Sequence, residues 1–247
     1  MKKNKSQNAV DIQSLRNFLY SNAERGELVE LTQILKCRVE DDKKLLVWNV
    51  VQALYARFQT PLGYITRDPT LDQMCDKAAK RLKTGKLEGE GWKKLHHFSV
   101  KVFEKILKSM PQEEKEKLLT EMWNKLDDEQ KKEMKDKFNV ANMNSFIHSS
   151  EVMVAHTLGL HLAREVAIYT AATIIRLNLG VGITLAASTA LSRGIAVFLG
   201  PVGWALLALS VNDFMGANYK RVIPALLTMN IINMRAHPSC ISFNPMP

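Results

Sequence analysis

The side chains able to bind a metal or move a proton are few and scattered. His156 and His161 lie five residues apart in helix-forming sequence, and Glu165 follows His161 by four. A helical zinc site needs ligands three or four apart, as in HExxH, whereas a step of five turns them about 140° apart. His161 and Glu165 suit one face, but two ligands without a third make only a weak metal candidate. A partly buried His–Glu hydrogen bond is the simpler expectation. His96-His97 points two ways from a helix and reads as a surface pair. Cys37, Cys75 and Cys240 show no CxxC spacing and no histidine partner, which fits free thiols in a reducing compartment. GxSxG, GxxxxGK[ST] and a strand-borne GxGxxG are absent. The expectation is a protein with no catalytic residue, cofactor or metal. An enzyme or metal-binding protein built near His156, His161 and Glu165 is kept as an alternative.

Attraction for anions is better supplied. Lys and Arg number 34 against 25 Asp and Glu, a formal net charge of +9. Much of this excess is local. Between Asp76 and Lys108, ten Lys or Arg stand against only Asp76, Glu88, Glu90 and Glu104. Lys77, Lys80, Arg81, Lys83, Lys86, Lys93 and Lys94, with Trp92 among them, form the kind of cluster that an anionic lipid surface attracts. The plainer reading of the same residues is a solvated helix surface. Nucleic acid is disfavoured, because no DNA-reading helix or RNP-like signature accompanies the charge.

The third feature is apolar. From Leu177 to Asn212 the only charge is Arg193, and Gly194 to Asn212 gives 19 consecutive uncharged residues. That length nominally spans about 30 Å of hydrocarbon. Gly200-Pro201-Val202-Gly203 interrupts it, since proline cannot continue a helix and glycine allows positive φ. The segment reads as a hairpin with arms 183–199 and 204–212, carrying Gly194, Gly200, Pro201, Gly203, Trp204 and Leu206. It would be either the buried centre of a helical bundle or, in a membrane-active effector, an element that inserts into a bilayer.

The elements that must position these groups are helices. Residues 11–36 predict a helical hairpin turning at Gly26. Val47, Val50, Val51, Leu54 and Phe58 predict an amphipathic helix behind Asp41 and Asp42. Asp68-Pro69 predicts a helix start, running to about Lys83 and ending at Gly85. Further helices are expected from Trp92, after Pro111, and after Asp127, where Gln130 completes a capping box. Residues 146–178 predict one long helix, and 217–235 a last one. No strand-like alternation is present. The N-terminus MKKNKSQNAVDIQSL is basic without an apolar run behind it, so a secretory signal is not expected and a cytoplasmic location is.

The stretches Met122–Phe138 (MWNKLDDEQKKEMKDKF), Gly200–Leu206 (GPVGWAL) and Ala217–Arg235 (ANYKRVIPALLTMNIINMR) together resemble the YaaW family. This is an uncharacterised bacterial family associated with ubiquinol–cytochrome c chaperones, and Asp11–Lys36 is similar to the short helical module that often begins such proteins. FQTPLGY (58–64) stands where the family usually has a glycine-rich stretch followed by a basic segment. The resemblance implies a helical, cytoplasmic or membrane-associated protein with no established catalytic residues.

The expected architecture is therefore an all-α helical bundle with a central apolar hairpin and an N-terminal helical hairpin module. The divisions are a docking module (1–38), a charged basic region (39–140), an apolar domain (141–236) and an irregular tail (237–247). The expected function is non-catalytic interaction at the inner membrane face or assistance to a membrane complex. A protein partner would dock through 11–36, and an anionic surface would meet the lysine cluster. The sequence sets no oligomeric state.

Overall fold

The computed structural model describes residues 10–59, 69–138, 140, 142–179 and 218–237. These form an all-α structure without a strand among the described residues. In chain order the helices are α1 (Ile12–Asn22), α2 (Arg25–Leu35), α3 (Lys43–Phe58), α4 (Leu71–Leu82), α5 (Trp92–Ser109), α6 (Gln112–Lys125), α7 (Asp128–Phe138), α8 (Met143–Ile147), α9 (Glu151–His161), α10 (Ala163–Leu179) and α11 (Tyr219–Ala236).

Short polar side chains start most of these helices by accepting the backbone N–H groups that a first turn leaves unpaired. Asp11 takes the N–H of Ser14, Asp42 that of Leu45, and Ser150 that of Met153. Asp127 and Gln130 make the expected reciprocal pair. Three starts differ from the sequence expectation. The first hairpin turns at Ala23-Glu24 rather than at Gly26, because Glu24 and Glu27 cap one another and draw Gly26 into the first turn of α2. Helix α4 begins after Thr70, which forms a capping box with Gln73, and not at Pro69. The single helix expected over 146–178 is three helices. Ser150 restarts the chain after α8, and Leu162 leaves helical geometry (φ −122, ψ 43) between α9 and α10, which meet at a bend of 118°.

Helix α11 is the hub. Every residue from Val222 to Met234 is buried, as expected of a helix that is covered all round. It lies along α10 and also touches α1, α2, α3, α4 and α5. Both of its ends fasten the N-terminal helices. Near its start, Arg221 donates to the carbonyl of Ile34 at 2.8 Å, while Arg57 of α3 donates to those of Leu35 at 2.6 Å and Lys36 at 3.3 Å. These last carbonyls of α2 have no helical partner and carry the negative end of the helix dipole, so guanidinium groups are well placed there. Near its end, Arg235 donates to Glu27 at 2.6 Å, to the carbonyl of Asn22 at 2.7 Å, and to Glu24. One continuous hydrophobic core runs from Val10 to Met234 through all of this packing. The apolar hairpin 183–212, the break at 60–63 and the tail from Pro238 lie outside the described residues.

A candidate anion-binding face

Helix α4 is strongly amphipathic. Leu71, Met74, Cys75, Ala78, Ala79 and Leu82 are buried, and Lys77, Lys80 and Arg81 share the exposed face at three- and four-residue spacing. Lys83 closes the helix in the left-handed region (φ 53), and Gly85 continues the turn at φ 91, a conformation glycine adopts without a Cβ penalty. Lys105 of α5 donates to the carbonyl of Leu82 and so holds this corner from beneath. Burial, with the charge of Lys83 beside it, pulls the Lys105 ammonium below the ordinary lysine range. The result is an exposed arc formed by Lys77, Lys80 and Arg81 on the helix, Lys83 and Lys86 on the turn, and Lys93 at the start of α5.

Pairing distinguishes four lysines of this arc from several lysines farther along α5 and α6. Lys101 and Lys108 both bind Glu104, at 3.0 and 2.5 Å, Lys115 binds Glu151 at 2.9 Å, and Lys117 binds Glu113 at 2.5 Å. Lys80, Lys83, Lys86 and Lys93 have no carboxylate partner among the described residues.

Two members of the sequence cluster are differently employed. Lys94 is largely buried and joins Asp76 at 3.1 Å and Asp72 at 3.6 Å, tying α5 to α4. Burial opposes its charge, but the hydrogen bond and charge of Asp76, with Asp72, more than offset that and hold its pKa above the ordinary value. Trp92 packs on Phe18 of α1 with ring centroids 3.9 Å apart. The indole is thus a strut between helices. Lys77 also lies 5.1 Å above the ring of Phe58.

The histidines do not form a surface pair. His96 is 2% exposed and His97 is 7% exposed. His96 Nε2 lies 3.1 Å from the carbonyl of Gly159. A carbonyl can only accept, so this nitrogen carries the proton and the ring caps the end of α9 where it bends into α10. Burial pushes His96 down to about 4, and the Gly159 bond only partly opposes it. His97 Nδ1 accepts the N–H of Glu88 at 2.8 Å. Burial, with Lys101 nearby, also lowers His97 and His156. The chain bends at Leu162, between His161 and Glu165, and His161 Nε2 lies 3.6 Å from Glu133 of α7. Among the described residues no group of three His, Cys, Asp or Glu side chains is placed to hold a metal ion. Cys75 is fully buried and Cys37 half-buried, and burial raises both thiols above their ordinary value.

Gly194, Gly200, Pro201, Gly203, Trp204 and Leu206 lie outside the described residues. Among those described, no single helix is long and apolar enough to cross a membrane. The bent pair of α9 with residues 163–175 of α10 meets that test by length and composition together.

A cleft between α1 and α3, of about 430 Å³, escaped the sequence reading. Its signal was present. Leu45 and Trp48 fall out of phase with the Val47, Val50, Val51, Leu54 stripe, and so stand as apolar residues on the solvent side of α3.

Fold and surface together define an all-helical protein with an exposed cationic arc along α4 and the α4–α5 turn. No protein-family model matches the chain, and no solved structure does. The chain is 28% identical over 123 residues to a UPF0174 protein of Helicobacter pylori (strain J99 / ATCC 700824), covering 48% of this chain and 49% of that protein. It therefore spans about half the length of the curated relative it matches. The likeness is to an uncharacterised bacterial protein and carries no link to the chaperones.

Proposed function

We propose that this is a non-catalytic helical interaction protein that holds reversibly to an anionic membrane surface through α4 and the α4–α5 turn. The supporting observation is the contrast in pairing. Lys101 and Lys108 of α5 and Lys115 and Lys117 of α6 are matched to carboxylates, while Lys80, Lys83, Lys86 and Lys93 are exposed and have no carboxylate partner among the described residues. Each cation near an anionic leaflet contributes about 1 kcal/mol, so four supply on the order of 4 kcal/mol. That is enough for reversible retention and far short of a permanent anchor. Assistance to a membrane-bound complex on the cytoplasmic face, which the YaaW-like motifs imply, is the finer part of this proposal.

The test is co-sedimentation with vesicles of phosphatidylcholine alone or mixed with phosphatidylserine, at low and high salt. Retention is expected only with the anionic lipid, weakened by salt and by the triple variant Lys80→Glu/Lys83→Glu/Lys86→Glu. Lys94 is the wrong residue to reverse, because its loss would untie α5 from Asp72 and Asp76. Equal retention on neutral vesicles, or retention unchanged in the triple variant, would overturn the proposal. Salt-sensitive capture of an oligonucleotide with no vesicle binding would replace the membrane with nucleic acid.

A further inference from the structure

The cleft between α1 and α3 carries a different chemistry. On α1 its wall is Gln13, Arg16, Asn17 and Tyr20, a stripe at the three- and four-residue spacing of one helix face, and on α3 it is Lys44, Val47 and Trp48. The Arg16 guanidinium lies 3.7 Å over the Trp48 ring, and its Nε is buried without a hydrogen-bond partner. Gln13 Nε2 donates to Asn17 Oδ1 at 3.1 Å. Lys43, next to the cleft, sits 5.6 Å above the ring of Tyr20. Tyr20 is 52% exposed, Trp48 50% and Leu45 54%, so the rim of a cationic cleft is aromatic and apolar. Among the described residues no carboxylate lines it.

A guanidinium stacked on an indole is held flat and presents its N–H edge outward, the geometry that suits a planar, bidentate oxyanion. Arginine with exposed Tyr and Trp is also the composition of protein-binding hot spots. The pairing of charge and apolar surface selects among anions. A nucleic-acid strand calls for a longer cationic track and open aromatic faces, whereas here one face of Trp48 is already covered by Arg16. We infer that the α1–α3 cleft binds an acidic peptide segment of a partner protein, an Asp or Glu on Arg16 and Lys44 with an adjacent apolar side chain against Tyr20 and Trp48. This rests on the reading that the chain acts by association, but uses residues separate from the α4 arc.

The test is selection of displayed random twelve-residue peptides on the full chain, followed by fluorescence anisotropy with the labelled winners. Enrichment of sequences joining Asp or Glu to a large apolar residue is expected. Affinity should fall about ten- to a hundred-fold in Arg16→Gln, the loss expected for a hydrogen bond to a charged group, and also in Lys44→Glu, whose side chain is exposed. Circular dichroism and thermal midpoints should match wild type, and the Lys80→Glu/Lys83→Glu/Lys86→Glu variant should keep the peptides while losing vesicles. Enrichment of basic or uncharged sequences, no enrichment at all, or equal binding by folded Arg16→Gln and Lys44→Glu proteins would sink the inference. So would Arg16-dependent binding of a single-stranded oligonucleotide. Vesicle retention that persists through those failures would leave the α4 proposal standing.

Discussion

Acid should unfold this protein partly through one ring. His96 is 2% exposed, donates to the Gly159 carbonyl at the end of α9, and is held down to about 4 against an ordinary value of 6.5. Because the folded value lies below the unfolded one, the unfolded chain takes up the proton first as pH falls. The stability His96 contributes is therefore fully present above about pH 6.5 and is lost on the way to pH 4. Linkage gives a loss of about 2 kcal/mol by pH 5 and about 3 kcal/mol by pH 4. Glu30 acts in the opposite sense. Burial raises its carboxyl to about 7, so its contribution grows as pH falls from 7 toward its ordinary range. A comparison with His96→Gln removes that complication, because both proteins carry Glu30, His97 and His156, and glutamine can still donate to Gly159. Urea unfolding at several pH values between 7.5 and 4 should show wild type losing roughly 3 kcal/mol more than His96→Gln over that range. Parallel stability curves for the two proteins would refute the argument, since a solvated histidine gives no difference.

The bend and the hub offer three more measurements. A Cβ built on Gly159 would lie 2.6 Å from Cγ2 of Val100, so Gly159→Ala should cost about 1–3 kcal/mol by overpacking, and adding Val100→Ala should restore part of it in urea unfolding. Arg235→Ala leaves the Glu27 carboxylate, 5% exposed, without its cation. With the arginine side chain itself 28% exposed, about 2 kcal/mol is expected, below the range for a fully buried pair, and Glu27→Gln added to it should recover some stability. Lys94→Ala should lower the thermal midpoint by the equivalent of about 1–2 kcal/mol, while Lys93→Ala, one residue away, should change it by less than about 0.5 kcal/mol. Equal effects at 93 and 94 would mean that the Asp72–Lys94–Asp76 tie is absent.

Local grammar was legible where it is local. Asp42, Asp127 with Gln130, and Gly85 each mark a helix boundary through a bond made within a few residues, and the apolar spacing of 47 to 58 named the buried face of α3. Gly26 misled because a glycine ends a helix only when the chain needs positive φ there, and the reciprocal Glu24–Glu27 cap outranked it. The bend at Leu162 had no such mark. It goes with long-range contacts, α5 setting Val100 against Gly159 and offering His96, 63 residues away, to its carbonyl, and no spacing rule sees that distance.

The same limit explains why the lysine cluster was read as a unit. Composition makes Lys93 and Lys94 equivalent neighbours, yet a helix turns 100° between adjacent residues. That turn places Lys94 between two aspartates of α4 and leaves Lys93 in solvent. His96 and His97 err in the reverse direction. Their polar type implies a surface, but α5 is packed by α4, α9, α10 and α11, so both sides of the helix are interior and each ring must find a backbone partner. A charge or an imidazole thus acquires its role from the helices around it. The α4 surface and the Arg16–Trp48 cleft stand out because Lys80, Lys83, Lys86 and Lys93 have no carboxylate partner, and the cleft no carboxylate lining, among the described residues.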